Sequence, residues 1–108
     1  NNNFADYGPT IILEHELENL NFYSLYGHLS RISLKGKNLG DMIDKGQAFC
    51  EIGNYPENGD WSPHLHFQLM TDMLANEHDF PGTCSAKDKS HYKNICPDPN
   101  LILGIINL

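Results

Sequence analysis

The chain has 108 residues, enough for one small domain with a modest core and not for two. Seven basic side chains against fourteen acidic ones leave −7 with histidine neutral, which argues against a nucleic-acid binder, because phosphate recognition needs a clustered basic face, and equally against docking on an anionic membrane. The 40% apolar content excludes a wholly disordered chain, and the longest apolar runs, 10–13 and 101–108, fall short of the roughly 20 residues of a membrane-spanning helix.

No charged-then-apolar signal opens the chain. It begins Asn-Asn-Asn without a Met and reads as a piece of a longer polypeptide, so the lack of a signal says nothing about export. Over the first two-thirds the hydrophobic period is two rather than 3.6. Thr10 to Glu16 and Asn21 to Tyr26 are rich in β-branched and aromatic residues, with polar Glu18-Asn19 between them, and predict a hairpin. Leu39 to Gly53 carries glycine at 40, 46 and 53. This spacing predicts short strands whose corners take positive φ, as in a tightly folded barrel or sandwich.

Asn54 to Pro63 holds two Pro, one Gly and two Asn and predicts a loop. His64 to Thr71 alternates again and predicts a central strand. From residue 72 to 100 no period is sustained, and Pro81, Gly82, Pro97 and Pro99 break regular structure. An irregular extension is expected there, with at most one short helix near Thr71 to Glu77. The apolar residues 101–106 then return as an edge strand or lead into a following domain.

Three cysteines cannot all pair within the chain. Cys50, in the alternating Gln47 to Ile52, reads as a buried thiol. Cys84 and Cys96 lie in loop-like sequence and can bridge if the protein is exported, whereas the odd count points to a reducing compartment.

The most informative feature is His64-Leu-His66. On a strand, residues i and i+2 face the same side, so both imidazoles would enter one space. By itself the pattern fits two solvated histidines as well as a zinc ligand beside a catalytic group. Upstream, Tyr26-Gly-His-Leu-Ser30 ends a predicted strand where a loop can aim His28 into the same cleft.

The order Asp6-Tyr-Gly8, Tyr26-Gly-His-Leu-Ser30, Lys45-Gly-Gln47, Ile52-Gly53 and Pro63-His-Leu-His-Phe-Gln68 resembles the lysostaphin-type (LytM-like) peptidoglycan zinc metalloendopeptidases, over residues 6 to about 69. The resemblance implies that His66 is a zinc ligand and that His28 and His64 are catalytic. Zinc is then the implied cofactor, and a peptide of the cell-wall class, in stems or cross-bridges, is the implied substrate. In such enzymes zinc lowers the pKa of a bound water and polarises the peptide carbonyl. The histidines assist proton transfer and hold the developing oxyanion.

One departure stands beside the match. Lysostaphin-type enzymes take their first two ligands from an upstream His-x-x-x-Asp segment, and no histidine here has Asp four residues on; Asn19, Ile32, Gln68, Met70, Gly82 and Ile95 occupy those places. A catalytic zinc needs about three protein ligands, and one is matched.

The expected fold is therefore all-β, a mainly antiparallel sandwich or half-open barrel truncated at its N-terminal side. Residues 1–71 form the partial peptidase domain, and 72–108 its irregular extension. A cut edge would favour self-association.

Other candidates carry less. His15-Glu16 is half of a zincin His-Glu-x-x-His, but position 19 is Asn. Asp44-Lys-Gly46 does not match the hairpin tips of lipoyl or biotinyl carriers. Cys84 and Cys96 have no Cys-x-x-Cys partner, and His78 and His91 sit in irregular sequence.

Asp79-Phe-Pro-Gly-Thr-Cys84 and Ile95 to Gly104 resemble the version of this module found between a kinase-like phosphotransferase domain and a class III pyridoxal-phosphate aminotransferase. That resemblance implies a cytoplasmic parent, and without the fusion an exported one is expected. Two functions follow: a zinc peptidase domain, inactive over these residues alone, or a non-catalytic binding or spacer module within an aminotransferase protein.

Overall fold

A computed structural model describes residues 2–3, 7–73 and 94–104. Among them the chain is all-β and antiparallel. Strands β1 (Asn2–Asn3) and β2 (Gly8–Pro9) form a two-stranded ribbon. Strands β3 (Ile11–Leu17), β4 (Leu20–Gly27) and β5 (His66–Met70) form a three-stranded sheet in the order β3-β4-β5. A single 3-10 turn, Arg31–Leu34, follows β4, and one helical turn, α1 (Asn100–Leu103), lies near the end of the chain.

The expected hairpin is β3-β4. Leu17 pairs with Leu20, so Glu18 and Asn19 make a two-residue connection with φ of 48° and 69°. Two positive φ values match the right-handed twist of the flanking strands. Asn visits this left-handed region readily; Glu does not.

Alternation then sorts the sheet into two faces. The registers Ile12↔Leu25, Glu14↔Tyr23, Tyr23↔Met70, Leu25↔Gln68 and Gly27↔His66 place Ile12, Tyr23, Leu25, Met70, His66 and Gln68 together. On this face Leu25 and Met70 pack with Tyr7 into the buried core, joined by Ile12, Tyr23, Met73, Ile95 and Cys96. Each fully buried side chain of this size contributes roughly 1.5–3 kcal/mol. The opposite face carries Leu13, His15, Phe22, Ser24, Tyr26, Phe67 and Leu69. There Tyr26 packs edge-on to Phe49 at 5.0 Å and tilted against Phe67 at 5.4 Å, while His15 stacks on Phe22 at 4.7 Å and donates from Nε2 to Ser24 Oγ at 2.6 Å. Apolar residues on both strands of the hairpin thus serve two faces.

Four expectations are corrected. Strand β5 begins at His66, two residues later than expected, and lies at an edge of the sheet with β4 in the centre. The glycine-punctuated segment 39–53 contains no strand. Gly40 and Gly46 do take positive φ, but they turn loops, and the segment touches β structure only at the isolated bridge Leu29↔Ile52. Cys50 is accordingly half-buried rather than buried. Of the two alternatives for residues 101–106, the edge strand does not hold over the described part: residues 100–103 form a helical turn ended by Gly104 at φ 62°. Of the short helix expected near Thr71 to Glu77, residues 71–73 are not helical; residues 74–77, like Asp6, His78, Cys84 and His91, lie outside the described residues.

Replacing Glu18 by Asn relieves the one strained position of the hairpin that its residue type does not suit. The variant is expected to gain about 0.5–1 kcal/mol in urea denaturation; no gain would mean that the turn is not held at positive φ in solution. A second expectation concerns pH. Desolvation by burial holds the His15 imidazole below its ordinary 6.5. The folded chain therefore binds fewer protons there than the unfolded one, so His15 supports stability fully above 6.5 and loses that contribution as pH falls through the depressed folded value. On acidification from neutral pH, His15→Gln should lose less of its urea midpoint than wild type.

Candidate active site

The site begins where the chain leaves β4. His28 follows Gly27 at φ 60°, a left-handed conformation that costs a non-glycine residue of order 1–2 kcal/mol. Backbone hydrogen bonds impose it from two sides. His28 N donates to Tyr7 O at 2.6 Å and Leu29 N to Pro9 O at 3.0 Å, tying the exit to β2. Gly53 N donates to His28 O at 2.8 Å and Ser30 N to Glu51 O at 2.9 Å, tying it to the end of the glycine-punctuated segment. Gly53 is the tightest point: a Cβ there would sit 2.3 Å from Leu29 O and 2.6 Å from Leu29 C, both backbone. His28, so turned, is only 4% exposed.

The three sequence-predicted histidines come together. The rings of His28 and His64 are 4.4 Å apart, those of His28 and His66 5.9 Å. Tyr7 lies edge-on to His66 at 4.7 Å, and Trp61, on the partly exposed side, is 5.7 Å from His28 and 6.1 Å from His64. His64 reaches this position without being on a strand. Its Nδ1 bonds the Ser62 carbonyl at 2.6 Å, so a local turn, rather than the i, i+2 alternation of a strand, brings it to the side of His66.

The hydrogen bonds assign the ring protons. A carbonyl only accepts, so His28 Nδ1, 2.9 Å from Asn58 O, and His64 Nδ1 both carry hydrogen, which leaves the lone pair of each neutral ring on Nε2. His66 is the reverse. Its Nε2 donates to Gln68 Oε1 at 3.0 Å, so its lone pair is on Nδ1. Gln68 in turn donates from Nε2 to Cys96 Sγ at 3.6 Å, which orients the amide.

Two residues of this site escape sequence reasoning. In the sequence Tyr7 stands out only as part of Asp6-Tyr-Gly8, and Asn58 is one more polar residue of a loop. Asn58 is fully buried; its Nδ2 donates to Gly53 O at 3.2 Å and Trp61 O at 2.8 Å, and its Oδ1 accepts from Trp61 N at 3.0 Å. Nothing in the composition of residues 54–63 separates such an asparagine from an ordinary turn former. As for metal, the described residues contain no group of three or more His, Cys, Asp or Glu side chains placed to hold an ion. The candidate ligand His66 does not complete a zinc site with its described neighbours.

The described residues thus form an antiparallel all-β unit that gathers three histidines at the end of its central strand. The model of Peptidase family M23 matches residues 1–79, 79 of the 108 residues, and the chain belongs to that family. No curated protein and no solved structure matches the chain.

Because the Gly53 contact is backbone against backbone, Gly53→Ala is expected to cost about 1–3 kcal/mol and to move the His28 imidazole resonances. Gly40→Ala, with open space around the same added methyl, should leave those resonances in place. Equal effects on His28 from the two variants would mean that the 28–53 junction does not set its position.

Proposed function

We propose that this domain is a zinc-dependent peptidase unit for cell-wall-type peptides, in which His28 and His64 handle protons and His66 is a metal ligand. The observation that carries the reading is the convergence of the three rings in two complementary tautomers. His28 and His64 keep a lone pair on Nε2 and can take a proton from a water attacking a peptide carbonyl, then return it to the leaving amine. Protonated, the same nitrogens donate to the developing oxyanion. His66, anchored by Gln68, keeps Nδ1 for coordination, as ligand imidazoles do when their other nitrogen is held by a hydrogen bond.

Zinc would supply the polarisation of water and carbonyl. It needs about three protein ligands, and the described residues do not provide them. The second reading is a non-catalytic binding or spacer module within a larger aminotransferase-containing protein, and an upstream His-x-x-x-Asp segment, intact or lost, separates the two.

The 108-residue chain is expected to bind zinc weakly and to cleave no stem or cross-bridge peptide. Metal analysis after exhaustive dialysis should find far less than one zinc per chain. A longer polypeptide containing the chain and a His-x-x-x-Asp segment is expected to retain one zinc and cleave, and to lose both with His66→Ala. Tight stoichiometric zinc in the 108-residue chain would reveal a replacement ligand set, and a longer polypeptide that holds no zinc would favour the module.

A further inference from the structure

One loop supplies the oxygen partners of two of the three imidazoles. Asn58 O accepts from His28 Nδ1 at 2.9 Å and Ser62 O from His64 Nδ1 at 2.6 Å. A single buried amide closes that loop. Asn58 Nδ2 spans Gly53 O and Trp61 O, and Oδ1 holds Trp61 N, at 2.8–3.2 Å. Behind it stands β2: a Cβ on Gly8 would lie 2.4 Å from Asn58 C and 2.7 Å from Asn58 O. The Asn58 peptide is therefore wedged between β2 and His28, with its carbonyl directed at the ring. A buried primary amide with both its donors and its acceptor engaged is costly to disturb, so the loop has one arrangement, and the carbonyls at 58 and 62 have fixed directions.

We propose that Asn58 is a positioning residue that holds both His28 and His64 in the Nδ1–H tautomer. It acts on His28 through its own carbonyl and on His64 through the loop that its side chain closes. A neutral imidazole in water prefers the other tautomer, which carries its lone pair on Nδ1. Without the two carbonyls each ring would present N–H where a base must present a lone pair. The wrong tautomer costs a histidine general base about 10⁴ in rate. Only the use made of Nε2 rests on the peptidase reading; the tautomers themselves do not.

The test is ring-nitrogen NMR on the ¹⁵N-histidine-labelled 108-residue chain, at a pH above the imidazole titration. His28 and His64 are expected to give the Nδ1–H pattern and His66 the Nε2–H pattern. In Asn58→Ala, His28 and His64 should lose that pattern as the majority form, with the dispersed β-sheet amide spectrum retained and His66 unmoved. Gly8→Ala keeps the amide but displaces the Asn58 peptide, so it should shift His28. An Nε2–H pattern at His28 or His64 in the wild type overturns the proposal, as does a folded Asn58→Ala chain with unchanged tautomers. Should Asn58→Ala not fold, an unmoved His28 in Gly8→Ala overturns it. Expected tautomers in a longer polypeptide that cleaves no peptide would sink the peptidase reading alone. Cleavage by a polypeptide whose rings are Nε2–H would sink this proposal alone.

Discussion

Backbone from three parts of the chain meets around His28 at distances that leave no room for side chains between them. The carbonyls of Tyr7 and of Pro9 in β2 accept from the residues leaving β4, and the segment at Glu51 to Gly53 closes over the same residues from the other side. The left-handed turn at His28 is the consequence: a histidine adopts φ 60° because its amide, its carbonyl and its ring nitrogen are all committed to fixed backbone partners. A strain of order 1–2 kcal/mol is small against several hydrogen bonds that would otherwise be left unmade in a buried place. The site thus depends on a junction of loops and strand ends, and the sheet supplies only one of its three histidines.

That distribution explains what could be read from the sequence. The hairpin is local: alternation over Thr10 to Tyr26 and a polar pair between two apolar runs define it, and neighbouring residues suffice to form it. His66 and Gln68 follow from the same alternation, since residues two apart on β5 share a face. The meeting of His28, His64 and His66 is also legible, but strand alternation is not what turns His64 toward it. A bond to Ser62 two residues back turns it, and no periodic pattern announces that.

The segment 39–53 misled for a related reason. Glycines at 40, 46 and 53 are spaced as they would be at the corners of short strands, yet two of them turn loops in open space and the third allows backbone contact with Leu29. Spacing alone does not distinguish a corner from a close approach. Asn58 was illegible altogether, because its work depends on groups at Gly8, His28, Gly53 and Trp61 that only the folded chain brings to it. The helical turn at 100–103, in place of a strand, reflects Pro99 ahead of it and Gly104 behind it, local signals that a purely apolar run obscured.

The two kinds of support divide the site mechanically. His66 belongs to β5, paired with Gly27 of β4, and its ring is set by Gln68, which reaches Cys96 in the C-terminal segment. That segment is itself tied to the strand end, where Thr71 N donates to Ile95 O at 2.7 Å. His28 and His64 each bond through Nδ1 to a carbonyl of the 54–63 loop. A disturbance of the 94–96 segment should therefore release the His66 ring and leave the His28 and His64 rings as they are, while a disturbance of the loop does the opposite. Sheet and loop meet at Tyr7, whose carbonyl holds His28 N and whose ring lies edge-on to His66. Tyr7 is itself buried in the core, so both supports lean on the same packed residue.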